Sequence, residues 1–176
     1  MSAVKINLVL FGIGNVGSAL INQVVGKQQS LLEEKNIELV FSVITNSTLA
    51  FFEREDKKNR WDVDFTKSPA PFSVQNIVDY VKEEELENLI AIDATASTEI
   101  LESYNLLLRN NFNILSINTN SSIQKSDFYA KINHDLEKFD KKFIYQNEQT
   151  EVTPINLLDH ILEIGGNHTV QKLQIA

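Results

Sequence analysis

Three glycines near the start of the chain stand at a spacing suited to one particular task. Gly12-Ile13-Gly14-Asn15-Val16-Gly17 fits G-x-G-x-x-G, follows the apolar run Val4 to Phe11, and opens a stretch of helical periodicity. In that setting Gly12 permits a tight turn, Gly14 lets the backbone approach a phosphate, and Gly17 lets the helix pack on the strand. A pyrophosphate then meets the unpaired amides and positive dipole end of the helix. Motif and flanks together point to a dinucleotide cofactor, NAD or NADP. An acidic residue closing the second strand would favour the ribose hydroxyls of NAD. That strand instead ends Val43-Ile44-Thr45-Asn46-Ser47, with Glu38 at its other end and no arginine following. The choice between NAD and NADP stays open on these residues.

Other reactive side chains form no comparable pattern. The sequence has no cysteine, which removes disulfides and thiolate chemistry. His134, His160 and His168 lack metal-ligand spacing and read as surface or locally satisfied residues. The run Glu83-Glu84-Glu85 with Glu87 reads as a solvated face. Ser97, Ser116, Ser121 and Ser122 fit no nucleophile elbow. Asp93, at a strand end, is either a ligand contact or the cap of the following turn. With 24 acidic against 16 basic residues the formal charge is −8, so nucleic acid is not an expected partner. Lys57, Lys58 and Arg60 are read as a solvated loop cluster. No signal peptide or membrane span is read, and a cytoplasmic protein is expected.

The elements that must hold the glycine loop alternate along the chain. Strands are expected at Val4 to Phe11, Ile37 to Ile44, Leu89 to Asp93, Phe112 to Ile117 and Lys142 to Tyr145. Helices are expected from Asn15 to about Glu34, with Gly26 a candidate interruption, and from Ser73 to Glu85, with Ser73 as N-cap. Further helices follow at Thr98 to Arg109, Lys125 to Phe139, and Thr153 to Ile164, the last starting at Pro154 and ending at Gly165-Gly166. Asn46 to Ala70 reads as polar and irregular, packed down by Trp61 and Phe65, and a final strand is expected over 170–175. This order implies an α/β, Rossmann-type, doubly wound and mostly parallel sheet with helices on both faces, as one domain over 1–176. Ligands in such sheets sit beyond the carboxyl ends of the strands. Gly12–Gly17, Thr45–Ser47, Asp93–Ser97 and Ile117–Ser121 should therefore share one rim.

With these segments in view, the chain resembles the cofactor-binding domain of homoserine dehydrogenases, including forms fused to aspartokinase, from about Val4 to Leu173. Phe11 to Gly17 is similar to the family's F-G-x-G-x-V-G, and Asn46-Ser47 sits where the family has an Asn-Ser pair. Ile92-Asp93-Ala94-Thr95-Ala96-Ser97 is similar to V-D-[CA]-T-[SA]-S, and Phe112 to Ser122 follows G-[FH]-x-[VI]-[VL]-[TS]-x-N-K-K-A in part. The resemblance implies NAD(P) contacts from Asn46, Ser47, Ala94, Thr95, Ala96, Ser97 and Asn118, beside the loop residues Gly12, Ile13, Gly14, Asn15, Val16 and Gly17. Thr95, Ala96 and Ser97 would line the nicotinamide side.

The chain also departs from the family pattern. Asn118 matches the family's asparagine, but the lysine expected after it is Thr119, which offers no comparable charge. Over the Y-[ED]-x-x-V-G-A-G-x-P segment Tyr145 and Pro154 remain, Gln146 replaces the acid, and Thr150-Glu151-Val152 replaces the small Gly-Ala-Gly turn. No catalytic residue is assigned. Two readings follow. In one, the chain is the NAD(P)-binding domain of an oxidoreductase that meets aspartate semialdehyde or homoserine through a catalytic domain supplied elsewhere. In the other it is a non-catalytic nucleotide-binding or dimerising module, where a homodimer would use an apolar patch near Ile164 to Ile175.

Overall fold

A computed structural model of the protein describes residues 2–52, 70–146 and 157–165. One seven-stranded sheet organises them in the order β4-β3-β2-β1-β5-β6-β7. The strands are β1 (Val4–Phe11), β2 (Ile37–Thr45), β3 (Leu49–Phe52), β4 (Ala70–Pro71), β5 (Leu89–Asp93), β6 (Phe112–Ser116) and β7 (Phe143–Tyr145). β2, β1, β5, β6 and β7 run parallel, joined by helical crossovers of the kind parallel strands require. The chain leaves β1 toward β2 on one side and returns to β5 on the other, so the strand order reverses at β1. That reversal opens a crevice at the carboxyl ends.

The helices are α1 (Asn15–Lys35), α2 (Val74–Glu83), α3 (Thr98–Glu102), α4 (Tyr104–Arg109) and α5 (Ser126–Lys138), with residues 157–165 forming α6. Alternation along the strands divides the core between two faces. Ile6, Leu8 and Leu10 of β1 meet Leu20 and Val24 of α1 and Leu157, Ile161 and Ile164 of α6. Val9 and Phe11 point the other way, toward Ile77 and Val81 of α2, Tyr104 and Leu108 of α4, and Ile132 of α5. All of these are buried, and each aliphatic side chain so buried contributes roughly 1.5–3 kcal/mol.

A bulge in β2 sets its register. Leu8 pairs with Phe41 but Val9 pairs with Val43, leaving Ser42 as the extra residue. Its hydroxyl donates to Asn7 Oδ1 at 2.9 Å, and Asn7 Nδ2 donates to the Glu87 carbonyl at 2.7 Å. The extra residue restores Ile44 to the face of Leu39 and Phe41 while Val43 faces the other core. It brings Thr45 level with Phe11 at the rim.

Several expectations need correction. The stretch after Asn46 is not irregular at its start: β3 pairs antiparallel with β2, and β4 antiparallel with β3. The turn is held by Asn46, whose Oδ1 accepts from the amides of Thr48 at 2.9 Å and Leu49 at 2.7 Å. Gly26 does not interrupt α1, which runs to Lys35 and ends on left-handed Asn36. The expected helix 98–109 is two, α3 and α4, divided at Ser103, whose hydroxyl bonds the Glu99 carbonyl at 2.9 Å. Gly165 is still helical and presses its backbone on Ile6, where a side chain would collide. Ile164 is 1% exposed and belongs to the core, so it does not contribute the apolar surface patch expected near it. Ser73 caps α2 as expected, accepting from the Asn76 amide. Trp61, Phe65, Pro154 and the strand expected at 170–175 lie outside the described residues.

α4 and α5 are tied by one buried carboxylate. Asp135 accepts from Asn105 Nδ2 at 2.7 Å and from Arg109 Nε at 3.0 Å. The Asn105 hydrogen bond first, and then the Arg109 charge, hold its carboxyl below the ordinary aspartate range against the opposing effect of burial. A lowered folded-state pKa stabilises the fold above the unfolded value of about 3.9, and that contribution is lost as pH falls through the folded value. Asp135→Asn is therefore expected to lower the melting temperature at pH 7. In melts recorded from pH 7 to pH 3, the gap to the native protein should close at the acid end.

Candidate functional site

The carboxyl ends of β1, β2 and β5 meet at a cavity of about 430 Å³. Its walls are Gly12, Ile13 and Gly14 from the turn after β1, and Thr45, Asn46 and Ser47 from the end of β2. Thr95, Ala96 and Ser97 follow β5, and Phe72, Glu99 and Ile100 complete the lining. The volume lies within the range typical of small-molecule sites.

The three glycines of the loop occupy three different environments. Gly12 has φ +94, and a Cβ there would lie 2.6 Å from the Ala94 carbonyl oxygen. A side chain at Gly17 would strike the Gly12 carbonyl, so this glycine lets α1 begin directly against the turn. Gly14 has ordinary extended dihedrals, φ −65 and ψ −164, and a Cβ there would meet nothing within 4 Å. Two of the glycines thus close the turn on itself, while Gly14 borders open space. That space lies before the first turn of α1, whose leading amides have no intrahelical acceptor. A phosphate cradle needs this combination of open approach and unpaired donors.

The opposite wall is braced from beneath by Asp93, which is 1% exposed. Its Oδ1 accepts from the Thr95 amide at 3.1 Å and the Thr95 hydroxyl at 2.7 Å. Its Oδ2 accepts from the Tyr104 hydroxyl at 2.6 Å and Asn118 Nδ2 at 2.8 Å. Ser116 Oγ lies 2.7 Å from the Tyr104 oxygen. With its single proton committed to Asp93, Tyr104 accepts from Ser116. Burial first, and then the Asp93 charge, push the Tyr104 hydroxyl well above the ordinary tyrosine range, so it remains a donor. Asn118 Nδ2 also reaches the Ser97 carbonyl at 3.1 Å, and the Thr119 amide bonds the Thr95 carbonyl at 3.1 Å. The loops after β5 and β6 are thereby pinned together.

Of the residues singled out in the sequence, Gly12, Ile13, Gly14, Asn46, Ser47, Thr95, Ala96 and Ser97 line the cavity. Asn15 heads α1, and Gly17 lies buried behind the turn. Val16 and Ala94 pack against the core. Asn118 is 1% exposed, and its amide nitrogen is spent on Asp93 and the Thr95–Ser97 loop. Of the two roles open to Asp93, the turn cap is the one the geometry displays. His160 stands 2.7 Å from Gln146 Nε2 and away from the cavity lining, His134 is exposed, and His168 is outside the described residues. Phe72, Glu99 and Ile100 were not foreseen. Ser97, which caps α3, is the sequence signal that places Glu99 and Ile100 in the first turn above the rim. Phe72 arrives through β4, and its amide bonds the Thr48 carbonyl at 2.9 Å. Among the described residues no group of acids and histidines could hold a metal ion, and no helix is long and apolar enough to cross a membrane.

Comparison with known proteins agrees with this arrangement. The sequence profile of the family "Homoserine dehydrogenase, NAD binding domain" matches residues 12–146. A bifunctional aspartokinase/homoserine dehydrogenase of Buchnera aphidicola is 30% identical over 164 residues, covering 92% of this chain and 20% of that protein. Its counterpart in Haemophilus influenzae is 25% identical over 166 residues, covering 91% of this chain and 20% of that protein. The chain therefore spans about a fifth of the length of these relatives. Among solved structures, a Staphylococcus aureus homoserine dehydrogenase superposes with TM-score 0.59 at 14% identity, over 82% of this chain and 33% of that one. A homoserine dehydrogenase of Thermoplasma acidophilum gives 0.55 at 16% identity, over 80% and 43%. At such identities the likeness speaks to the fold alone.

Proposed function

Because the chain belongs to the family of homoserine dehydrogenase NAD-binding domains, we propose that its rim cavity holds NAD(P) and that the chain does not itself turn a substrate over. The observation that carries this reading is the sorting of the glycines. Gly12 and Gly17 shape the turn, and Gly14 leaves the approach to the first turn of α1 clear. In this reading the amides following Gly14 receive the pyrophosphate. Thr45 to Ser47 take the adenosine ribose, and Thr95 to Ser97 support the nicotinamide side. The nicotinamide, when bound, supplies hydride chemistry.

The chain's own residues would bind and orient. Glu99 is the one ionisable side chain among the described residues that line the cavity, and Thr119 stands where the family pattern has lysine. A carbonyl substrate such as aspartate semialdehyde would need its proton-transfer groups from a catalytic domain supplied by another part of the assembly. A second reading, a nucleotide-binding or dimerising module that never meets such a domain, is favoured by the same missing lysine; its dimerising form predicts a homodimer, which light scattering on the isolated chain tests.

Calorimetric titration of the chain with NAD(H) and NADP(H) checks the first reading. Saturable binding at micromolar to millimolar concentration is expected. Homoserine-dependent reduction of the cofactor should appear when a catalytic domain of the family is added. Failure of all four nucleotides to bind at millimolar concentration would refute the cofactor reading.

A further inference from the structure

The carboxylate that usually meets the adenosine ribose at the end of the second strand is missing here, since β2 closes on Thr45 and continues with Asn46 and Ser47. The Asn46 carboxamide oxygen is already committed to the amides of Thr48 and Leu49, and Ser47 is neutral and exposed. Across the same cavity the first turn of α3 contributes Glu99. It is exposed, and its carboxylate has no hydrogen-bond or ion-pair partner among the described residues; the Ser103 contact engages its main-chain carbonyl. Among the described residues, no lysine, arginine or histidine lines the cavity.

We propose that Glu99, sharing the cavity with the ribose-facing end of β2, is the residue that selects between dinucleotides, so that the site prefers NAD(H) to NADP(H). The inference rests on the reading of this cavity as the dinucleotide site. A 2′-phosphate adds about two negative charges to the ribose, and the described lining offers no cation to offset them. Across a water-filled cavity, repulsion from one carboxylate weakens binding of such a dianion by about fivefold to tenfold. A free 2′-hydroxyl suffers no such repulsion.

The test is titration of the whole chain with NAD⁺ and NADP⁺ at roughly 10 mM ionic strength, where the Debye length is about 30 Å. The native protein should bind NAD⁺ more tightly. Glu99→Gln should strengthen NADP⁺ binding by about fivefold to tenfold and change NAD⁺ binding by less than about twofold, a gain that shrinks near 1 M salt. Glu102→Gln lies on the same helix but borders a different cavity, and should leave the ratio unchanged. If both nucleotides bind and Glu99→Gln leaves their ratio as it was, or Glu102→Gln shifts it equally, the assignment to Glu99 falls while the dinucleotide reading stands. If neither nucleotide binds, the reading of the cavity and the inference fall together.

Discussion

Gly14→Val is expected to abolish dinucleotide binding while leaving the chain folded. The fold should tolerate the change because Gly14 has ordinary extended dihedrals and a Cβ there meets nothing within 4 Å. Losing glycine at a helix N-cap costs about 1 kcal/mol or less, a shift of about 2–4 °C in the melting temperature of a domain this size. Binding should not tolerate it. Gly14 lines the cavity beside the start of α1, and a branched side chain there would hold a phosphate beyond hydrogen-bonding distance of the leading amides. Losing two hydrogen bonds to a charged group, each contributing about 1.5–3 kcal/mol, weakens binding by at least about 100-fold. The same substitution at Gly17 would drive a side chain into the Gly12 carbonyl and could not separate binding from folding. Calorimetric titration beside a thermal melt decides the matter. Unchanged affinity in a folded Gly14→Val protein would mean that the ligand does not sit on this loop.

The sequence exposed some of this structure readily, and for identifiable reasons. β1 and the start of α1 were legible because a buried parallel strand is a continuous apolar run, and glycines at fixed offsets mark where it must turn. The rim was legible as well, since parallel strands place all their carboxyl ends on one edge. The β3–β4 hairpin was hidden because Leu49-Ala50-Phe51-Phe52 is a four-residue apolar run between polar stretches, too short for its periodicity to tell. Ser42 gave no sign that it was a bulge; its partner, Asn7, lies 35 residues away and meets it through sheet pairing. Asn118 stands among the expected ligand contacts because it matches the family's asparagine. Its burial under Thr95 and Ser97 is a tertiary fact that spacing along one strand does not carry. Glu99 was passed over for a related reason. The Rossmann pattern points to the end of β2 for the ribose acid, whereas among the described residues the acid on the cavity wall comes from α3.

Asp93→Ala is expected to have the largest effect on stability of any substitution at the site, although Asp93 does not line the cavity. A buried carboxylate without a cation is tolerable when donors replace its lost hydration. Here the Thr95 amide and hydroxyl, the Tyr104 hydroxyl and the Asn118 amide nitrogen take that role. Removing the carboxylate leaves these donors facing a void, and each buried unsatisfied donor costs about 1–3 kcal/mol. Partial relaxation brings the total to about 3–5 kcal/mol, against a whole-domain stability of about 5–15 kcal/mol. The melting temperature should fall by about 6–20 °C. Asp93→Asn separates shape from charge: it keeps the volume, but its amide nitrogen cannot accept, so one pair of donors loses its acceptor and faces another donor. It should recover less than half of the loss. The effect should also reach the ligand, because the loops carrying Thr95 to Ser97 and Asn118 to Asn120 are joined through this carboxylate and through the Thr119–Thr95 main-chain bond. Weaker NAD(P) binding is therefore expected even under conditions where the variant is folded. An Asp93→Asn protein with native stability and native affinity would show that the donors find other acceptors, and would remove Asp93 as the brace of this wall.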